Sequence, residues 1–270
     1  MTQNFYYEDV KLIKKPFKKR IKKYLIFLII FVLMGGIVFS AFWISNTLAV
    51  SNISTILVYG GKDIKLNSRE VFAVSLGSYD TQEEADKVAI GSTIQGGAGY
   101  VWKDNEMYYV LGSIYSTYEL AEKVINNLQG TKYNLSILKI NLNKVNITFD
   151  EYDNKQVDSI ATAINGFKGV YDKVYNYSIS YDKGEMNNLA ISTYLSTIRG
   201  EIKGYISTMQ SILSMPNAKV QEVQKALIKL DELLDQAIIK TIDNSSTASY
   251  LKYSICSVVA IEYDLRQKLS

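Results

Sequence analysis

The distribution of apolar and polar positions divides the chain into unlike parts. From Tyr24 to Ile44 the sequence is apolar for 21 residues, with Ser40 as its one clearly polar side chain. No charged residue occurs between Lys23 and Lys62. At about 1.5 Å per residue a helix of this length spans roughly 30 Å, the thickness of a bilayer's hydrocarbon core. A single transmembrane helix is therefore expected over residues 24–45. A cleaved signal peptide, with Thr47 and Ala49 at the cleavage site, is the competing reading, but signal cores are shorter. Residues 46–69 are rich in Ser, Thr, Asn and Gly and read as a linker, with a short strand at Ile56–Tyr59. Residues 70–145 alternate strand-like and helix-like runs. Residues 150–270 carry apolar positions at spacings of three and four.

The middle region repeats itself with an offset of 36 residues. Val71–Val88 aligns with Met107–Val124, and Val74/Val110, Tyr79/Tyr115, Thr81/Thr117, Glu83/Glu119, Ala85/Ala121, Lys87/Lys123 and Val88/Val124 coincide. Each copy opens as an extended apolar run and continues into a helix. Capping boxes are expected from Asp80 with Glu83 and from Ser116 with Glu119. Tyr100–Lys103 and Leu135–Ile140 are strand-like, and Gly130 closes the second helix. The order β-α-β-β-α-β predicts a split βαβ domain, a four-stranded antiparallel sheet with two helices on one face. Alternation turns Phe72, Val74, Val101, Tyr108 and Val110 toward those helices. Ala73, Ser75, Tyr100, Trp102, Tyr109 and Leu111 then face the other way, with nothing in this region to cover them.

Val74-Ser-Leu-Gly-Ser-Tyr79, followed by Glu83, Glu84 and Ala85, resembles the first half of a SPOR (sporulation-related) domain. Tyr108-Tyr109-Val110 with Gly112, Tyr115, Ser116, Ala121 and Glu122 is similar to the second half. The resemblance covers residues 70–145 and implies binding of peptidoglycan glycan strands stripped of their stem peptides. It implies glycan contacts at Ser75, Tyr100, Trp102, Tyr109 and Leu111, where aromatic faces offer stacking area. Ser75 stands where the family often has Gln, and Tyr109 where it often has Arg. The competing use of these aromatics is packing against the C-terminal region or a partner protein.

Four amphipathic stripes follow: Val157–Val174, Leu195–Leu213, Val220–Ile238 and Leu251–Leu265. Turn-like breaks near 181–184, 214–217 and 243–246 separate them, and an up-down helical bundle over 150–270 is expected. The fold class is thus α+β behind a transmembrane helix. Asp231, Glu232 and Asp235, with Lys225 and Lys229 nearby, read as a solvated ion-paired face.

The averages, 47% hydrophobic and 21% charged, describe an ordinary soluble chain and hide a charge asymmetry. Residues 1–23 hold eight basic and two acidic groups, while the whole chain is only +3. That places a basic tail in the cytoplasm, against anionic lipid, and residues beyond the span outside. The same placement disfavours nucleic acid as a partner. The absence of histidine removes Ser-His-Asp and Cys-His catalysis and every His-ligated metal. Cys256 is the sole cysteine, so no internal disulfide forms, and a small buried thiol is expected. Neither a phosphate-binding loop nor a dinucleotide fingerprint is present, and Gly96-Gly97-Ala98-Gly99 reads as a turn. The expectation is a non-enzymatic, single-pass bacterial envelope protein, without cofactor or metal, that binds denuded septal glycan in division or sporulation. The alternative is an envelope scaffold that has lost glycan binding and docks other envelope or division proteins.

Overall fold

The computed structural model describes residues 57–59, 62–128, 130–212, 217–242 and 246–270. The basic tail and the apolar run Tyr24–Ile44 lie outside them. Among the described residues no helix is long and apolar enough to cross a membrane. The protein is α+β, with seven strands in two antiparallel sheets and six helices among the described residues.

The repeat folds in the expected order. Strand β3 (Arg69–Tyr79), helix α1 (Gln82–Ile94), strands β4 (Tyr100–Asp104) and β5 (Met107–Tyr115), helix α2 (Tyr118–Asn127) and strand β6 (Ser136–Leu142) follow one another. They make a four-stranded sheet ordered β4-β5-β3-β6. Phe72 pairs with Tyr115 and Val71 with Ile140, so β3 is the central strand beside both β5 and β6. The helix face packs Val74, Leu76, Val110, Ala85, Ala89 and Ala121, with Phe72, Val101 and Tyr108 at its margin, as alternation predicts.

The caps sit one residue later than expected. Thr81 and Thr117, not Asp80 and Ser116, have the extended dihedrals of an N-cap. Their hydroxyls accept from the backbone N–H of Glu84 and Leu120, each at 3.3 Å. Counting from Thr117, the third residue is Leu120, which cannot reach back, so the second cap is one-sided. The Gly96–Gly99 segment is a turn between α1 and β4, as its composition suggests. Gly99 has φ +60°, and a Cβ there would lie 2.5 Å from the Ala89 carbonyl oxygen. Only glycine fits that position without moving α1.

A second sheet arises where the sequence suggested mostly linker. β1 (Leu57–Tyr59), β2 (Asp63–Leu66) and β7 (Val145–Thr148) pair in the order β1-β2-β7. Ile64, Leu66, Val145 and Ile147 turn one face of it inward.

The C-terminal part forms α3 (Asn154–Asp182), α4 (Asn188–Ile212), α5 (Ala218–Ile242) and α6 (Thr247–Leu269). Helix α3 opens with a reciprocal capping box between Asp153 and Gln156. The stripes are the buried faces: Val157, Ile160, Phe167 and Val174 on α3, Leu195 and Ile202 on α4, Val223, Leu230 and Leu234 on α5, Leu251, Ile255 and Val258 on α6. Leu213 and Pro216 lie outside the described residues. Glu232 and the Asp235 side chain are solvent-exposed as expected, but the ion pairs of Asp231 and Asp235 run between helices and not along α5. Arg199 of α4 pairs with both, its Nε 2.8 Å from Asp231 Oδ1. The acids are thus turned toward the neighbouring helix, a cross-helix contact that spacing along α5 alone does not reveal.

Glu222 of α5 accepts from Lys225 at 2.7 Å and from Lys268 of α6 at 2.8 Å. These hydrogen bonds, Lys225's first, draw its carboxyl from the ordinary 4.5 down to about 2. A carboxylate lowered in the folded state stabilises fully above its unfolded value and loses that contribution as pH falls through the folded one. The stability difference between the protein and Glu222→Gln is therefore expected to be constant above pH 4.5 and to shrink toward pH 2. Urea midpoints across that range check it; a pH-independent difference excludes the ion pairs as its source.

Candidate functional site: the covered sheet face

The five residues singled out for glycan contact do share one face of the large sheet. Ser75 sits opposite Leu111, Leu111 opposite Tyr100, and Trp102 opposite Tyr109. The face is not open. Helix α6 lies across β4, β5 and β6, and sheet and bundle enclose one continuous core. Leu111 and Ser75 are wholly buried and Trp102 is 8% exposed. Tyr100 and Tyr109 are half-buried against the same core.

Each side chain is engaged from within the chain. The Trp102 indole meets the Tyr263 ring edge-on with centroids 5.4 Å apart. Tyr100 packs against Tyr253 at 5.3 Å, and burial first, then Cys256 and Tyr253, pushes its hydroxyl's pKa up. Ser75 lies in a bulge where the β3–β5 register slips. Its hydroxyl donates to the Gly77 carbonyl at 3.1 Å and accepts from the Gly77 N–H at 3.3 Å, so its hydrogen bonds are spent within its own strand. Nothing within residues 70–145 covers this face, and of the two uses weighed for its aromatics the structure shows packing against the C-terminal region. The covering element lies more than a hundred residues downstream, beyond the reach of local patterning.

A buried ionic cluster fastens the cover. Glu262 of α6 accepts from Arg266 Nε at 3.0 Å and Nη2 at 2.8 Å, and from Arg69 of β3. Arg266 Nη1 donates to the carbonyls of Asn67 at 2.8 Å and Asn143 at 2.7 Å, the turns leading into β3 and β7. The Arg69 guanidinium lies 4.9 Å above the Tyr171 ring of α3. Sequence reasoning missed this cluster. Its signal was two charges, Glu262 and Arg266, four apart beside an apolar stripe. At the other end of α6, Ser249 donates to the Thr93 carbonyl at 2.6 Å. Lys252 reaches the Gly96 carbonyl at 3.0 Å and Asp182 at 2.9 Å.

Among the described residues no group of three or more Cys, Asp or Glu could hold a metal ion. Cys256 is fully buried in α6, and burial pushes its thiol well above the range in which a reactive thiolate forms. No family model, no curated protein and no solved structure matches this chain.

Proposed function

We propose that this protein is a single-pass bacterial envelope protein whose sheet-and-bundle unit is a docking scaffold for another envelope protein, without SPOR-type glycan binding on the sheet. The basic tail and the apolar run Tyr24–Ile44 support a location of that unit outside the cytoplasmic membrane, with the tail against anionic lipid. The observation that carries the reading is the occupation of the aromatic face by the chain's own α6. A glycan strand laid on that face would have to displace Tyr253, Tyr263 and the ionic cluster around Glu262.

The substitutions at Ser75 and Tyr109 agree with it. Ser75 is spent on a bulge, and Tyr109 packs on the shared core, roles that neither Gln nor Arg would serve in a buried layer. The apolar surface offered to such a partner lies elsewhere. Leu189 of α4 and Ile242 of α5 are strongly exposed and line one open hollow at the end of the bundle, with Met186 and Tyr181. Exposed apolar groups gathered in this way mark contact sites more often than isolated ones do.

Pull-down of the full chain with peptidoglycan sacculi tests the reading. Retention on amidase-treated sacculi is expected to be no greater than on untreated ones. Clear enrichment on the treated material would restore the glycan-binding alternative.

A further inference from the structure

The apolar side chains open to solvent are unevenly spread. Among the described residues nine large hydrophobic side chains are exposed, and five of them, Ile90, Ile94, Leu189, Ile239 and Ile242, belong to one end of the unit. There the C-terminal ends of α1, α3 and α5 meet the N-terminal ends of α4 and α6. Ser249 reaches the Thr93 carbonyl, and Lys252 reaches the Gly96 carbonyl and Asp182. The opposite end, where the described chain begins, is made by β1, β2, β7, the first turns of α3 and the last turns of α6. None of the nine is carried by those elements. The exposed groups are thus not gathered where the chain leads toward the apolar run Tyr24–Ile44, as a contact with lipid would favour. Ile94 is 82% exposed, Leu189 77% and Ile242 71%. Five side chains this open come to several hundred Å², a large part of the about 800 Å² that each side of a standard interface supplies.

Leu189 and Ile242 line an open hollow of about 890 Å³, with Tyr181 and Met186 half-buried on the core beside them. The turn between α3 and α4 holds Leu189 outward. Gly184 takes φ +72°, and its N–H donates to the Tyr181 carbonyl at 2.9 Å. The Glu185 N–H donates to the Ser180 carbonyl, also at 2.9 Å, which closes the end of α3. Asn187 then caps α4, its side-chain oxygen accepting from the Ala190 N–H at 2.9 Å. Ile191 and Leu195 turn into the core, which leaves Leu189 on the outer face. A side chain held in place by a fixed turn loses little freedom when it enters a partner.

Charge narrows the occupant. Among the described residues no charged side chain lines the hollow. The charges next to it pair off, Asp182 with Lys252 at 2.9 Å and Lys183 with Glu185 at 3.9 Å, and Lys240 Nζ lies over the Tyr250 ring. An acidic or basic partner finds no complement here. An uncharged apolar surface is complementary to itself. A projecting leucine beside a hollow on the same chain is the arrangement that a twofold pair uses, each copy filling the other.

We propose that a second copy of this chain occupies the hollow, in a twofold pair that sets Leu189 of each copy beside Ile242 of the other. The inference rests on the scaffold reading, since it takes the same surface and names its partner. Copies anchored by one run share a membrane, which raises their effective concentration.

Sedimentation equilibrium of the full chain in density-matched detergent tests the pairing. A monomer–dimer equilibrium is expected. Leu189→Glu and Ile242→Lys should each raise its dissociation constant about 10-fold or more, because each drives an unpaired charge into apolar surroundings. Thermal melts should stay close to that of the parent, since both positions are exposed. An equimolar mixture of the two variants should recover part of the affinity, as one contact of the pair then sets a carboxylate against an ammonium. A chain that stays monomeric throughout the accessible concentrations overturns the pairing. A dimer that neither substitution weakens overturns it too, and no recovery in the mixture overturns the contact of Leu189 with Ile242. Lipid is tested in vesicles of phosphatidylglycerol and phosphatidylethanolamine. Cys256 is buried, so a thiol-reactive fluorophore on Leu189→Cys labels that position alone. Its emission should shift to the blue as copies per vesicle rise; a full shift at one copy per vesicle assigns the surface to lipid and overturns the pairing. A monomer without sacculus enrichment counts against the second copy alone, and enrichment with the dimer intact counts against the scaffold reading alone.

Discussion

Trp102→Ala lowers the unfolding free energy by about 3–5 kcal/mol, the range for truncating a buried aromatic side chain. The indole is 8% exposed, and Tyr263 meets it edge-on across the interface between the sheet and α6. Its removal leaves a cavity between two rigid layers that cannot close over it. Trp102→Phe retains part of the volume and is expected to recover part of the loss. Urea unfolding of the full chain checks both. The measurement also separates two roles for the face. A ligand-contact tryptophan on an open sheet would change stability by no more than about 0.5 kcal/mol, as most exposed substitutions do. A result in that range would mean that α6 does not rest on the sheet, and the scaffold reading would lose its supporting observation.

Glu262→Ala is expected to cost about as much, roughly 3–5 kcal/mol, for a different reason. The carboxylate is shared by two arginines in a nearly dry site, with Glu262 and Arg266 side chains 5% and 10% exposed. Removing it leaves guanidinium charge facing Tyr171 and the core without compensation. Replacing all three charges with Met, Leu and Met at positions 69, 262 and 266 should do less harm than Glu262→Ala alone, because no buried charge then remains. Recovery stays incomplete, since the Asn67 and Asn143 carbonyls lose the Arg266 donor. A double-mutant cycle between Arg69 and Glu262 measures the coupling directly. A coupling near zero would show that the cluster is an accessory to the apolar contact and does not fasten it.

Both results concern one helix, and that helix marks where sequence reading stopped. The 36-residue repeat gave the strands, the helices and their faces, because a two-residue period and a capped helix start are local signals. Val74 and Val110 went to one side and Trp102 and Leu111 to the other, as alternation required. The caps missed by one residue, since Asp and Thr, or Ser and Thr, adjoin at both starts and only backbone dihedrals choose between them. The short strands β2 and β7 escaped notice, because four-residue strands 79 residues apart carry little pattern of their own.

By itself the sequence determined the α+β class, the order of the repeat and the inward face of each bundle helix, all properties of spacing within about ten residues. It also fixed what chemistry is unavailable, since a chain without histidine and with one cysteine has few nucleophiles or soft ligands to offer. Tertiary structure alone decided whether the aromatic face meets solvent or protein. That outcome depends on a contact between Trp102 and Tyr263, 161 positions apart, and on Arg69 finding Glu262. An aromatic sheet face looks the same in sequence whether it awaits a ligand or a helix, because both bury apolar area for the same hydrophobic gain. Only the location of the covering element distinguishes them, and that is set by the packing of the whole chain.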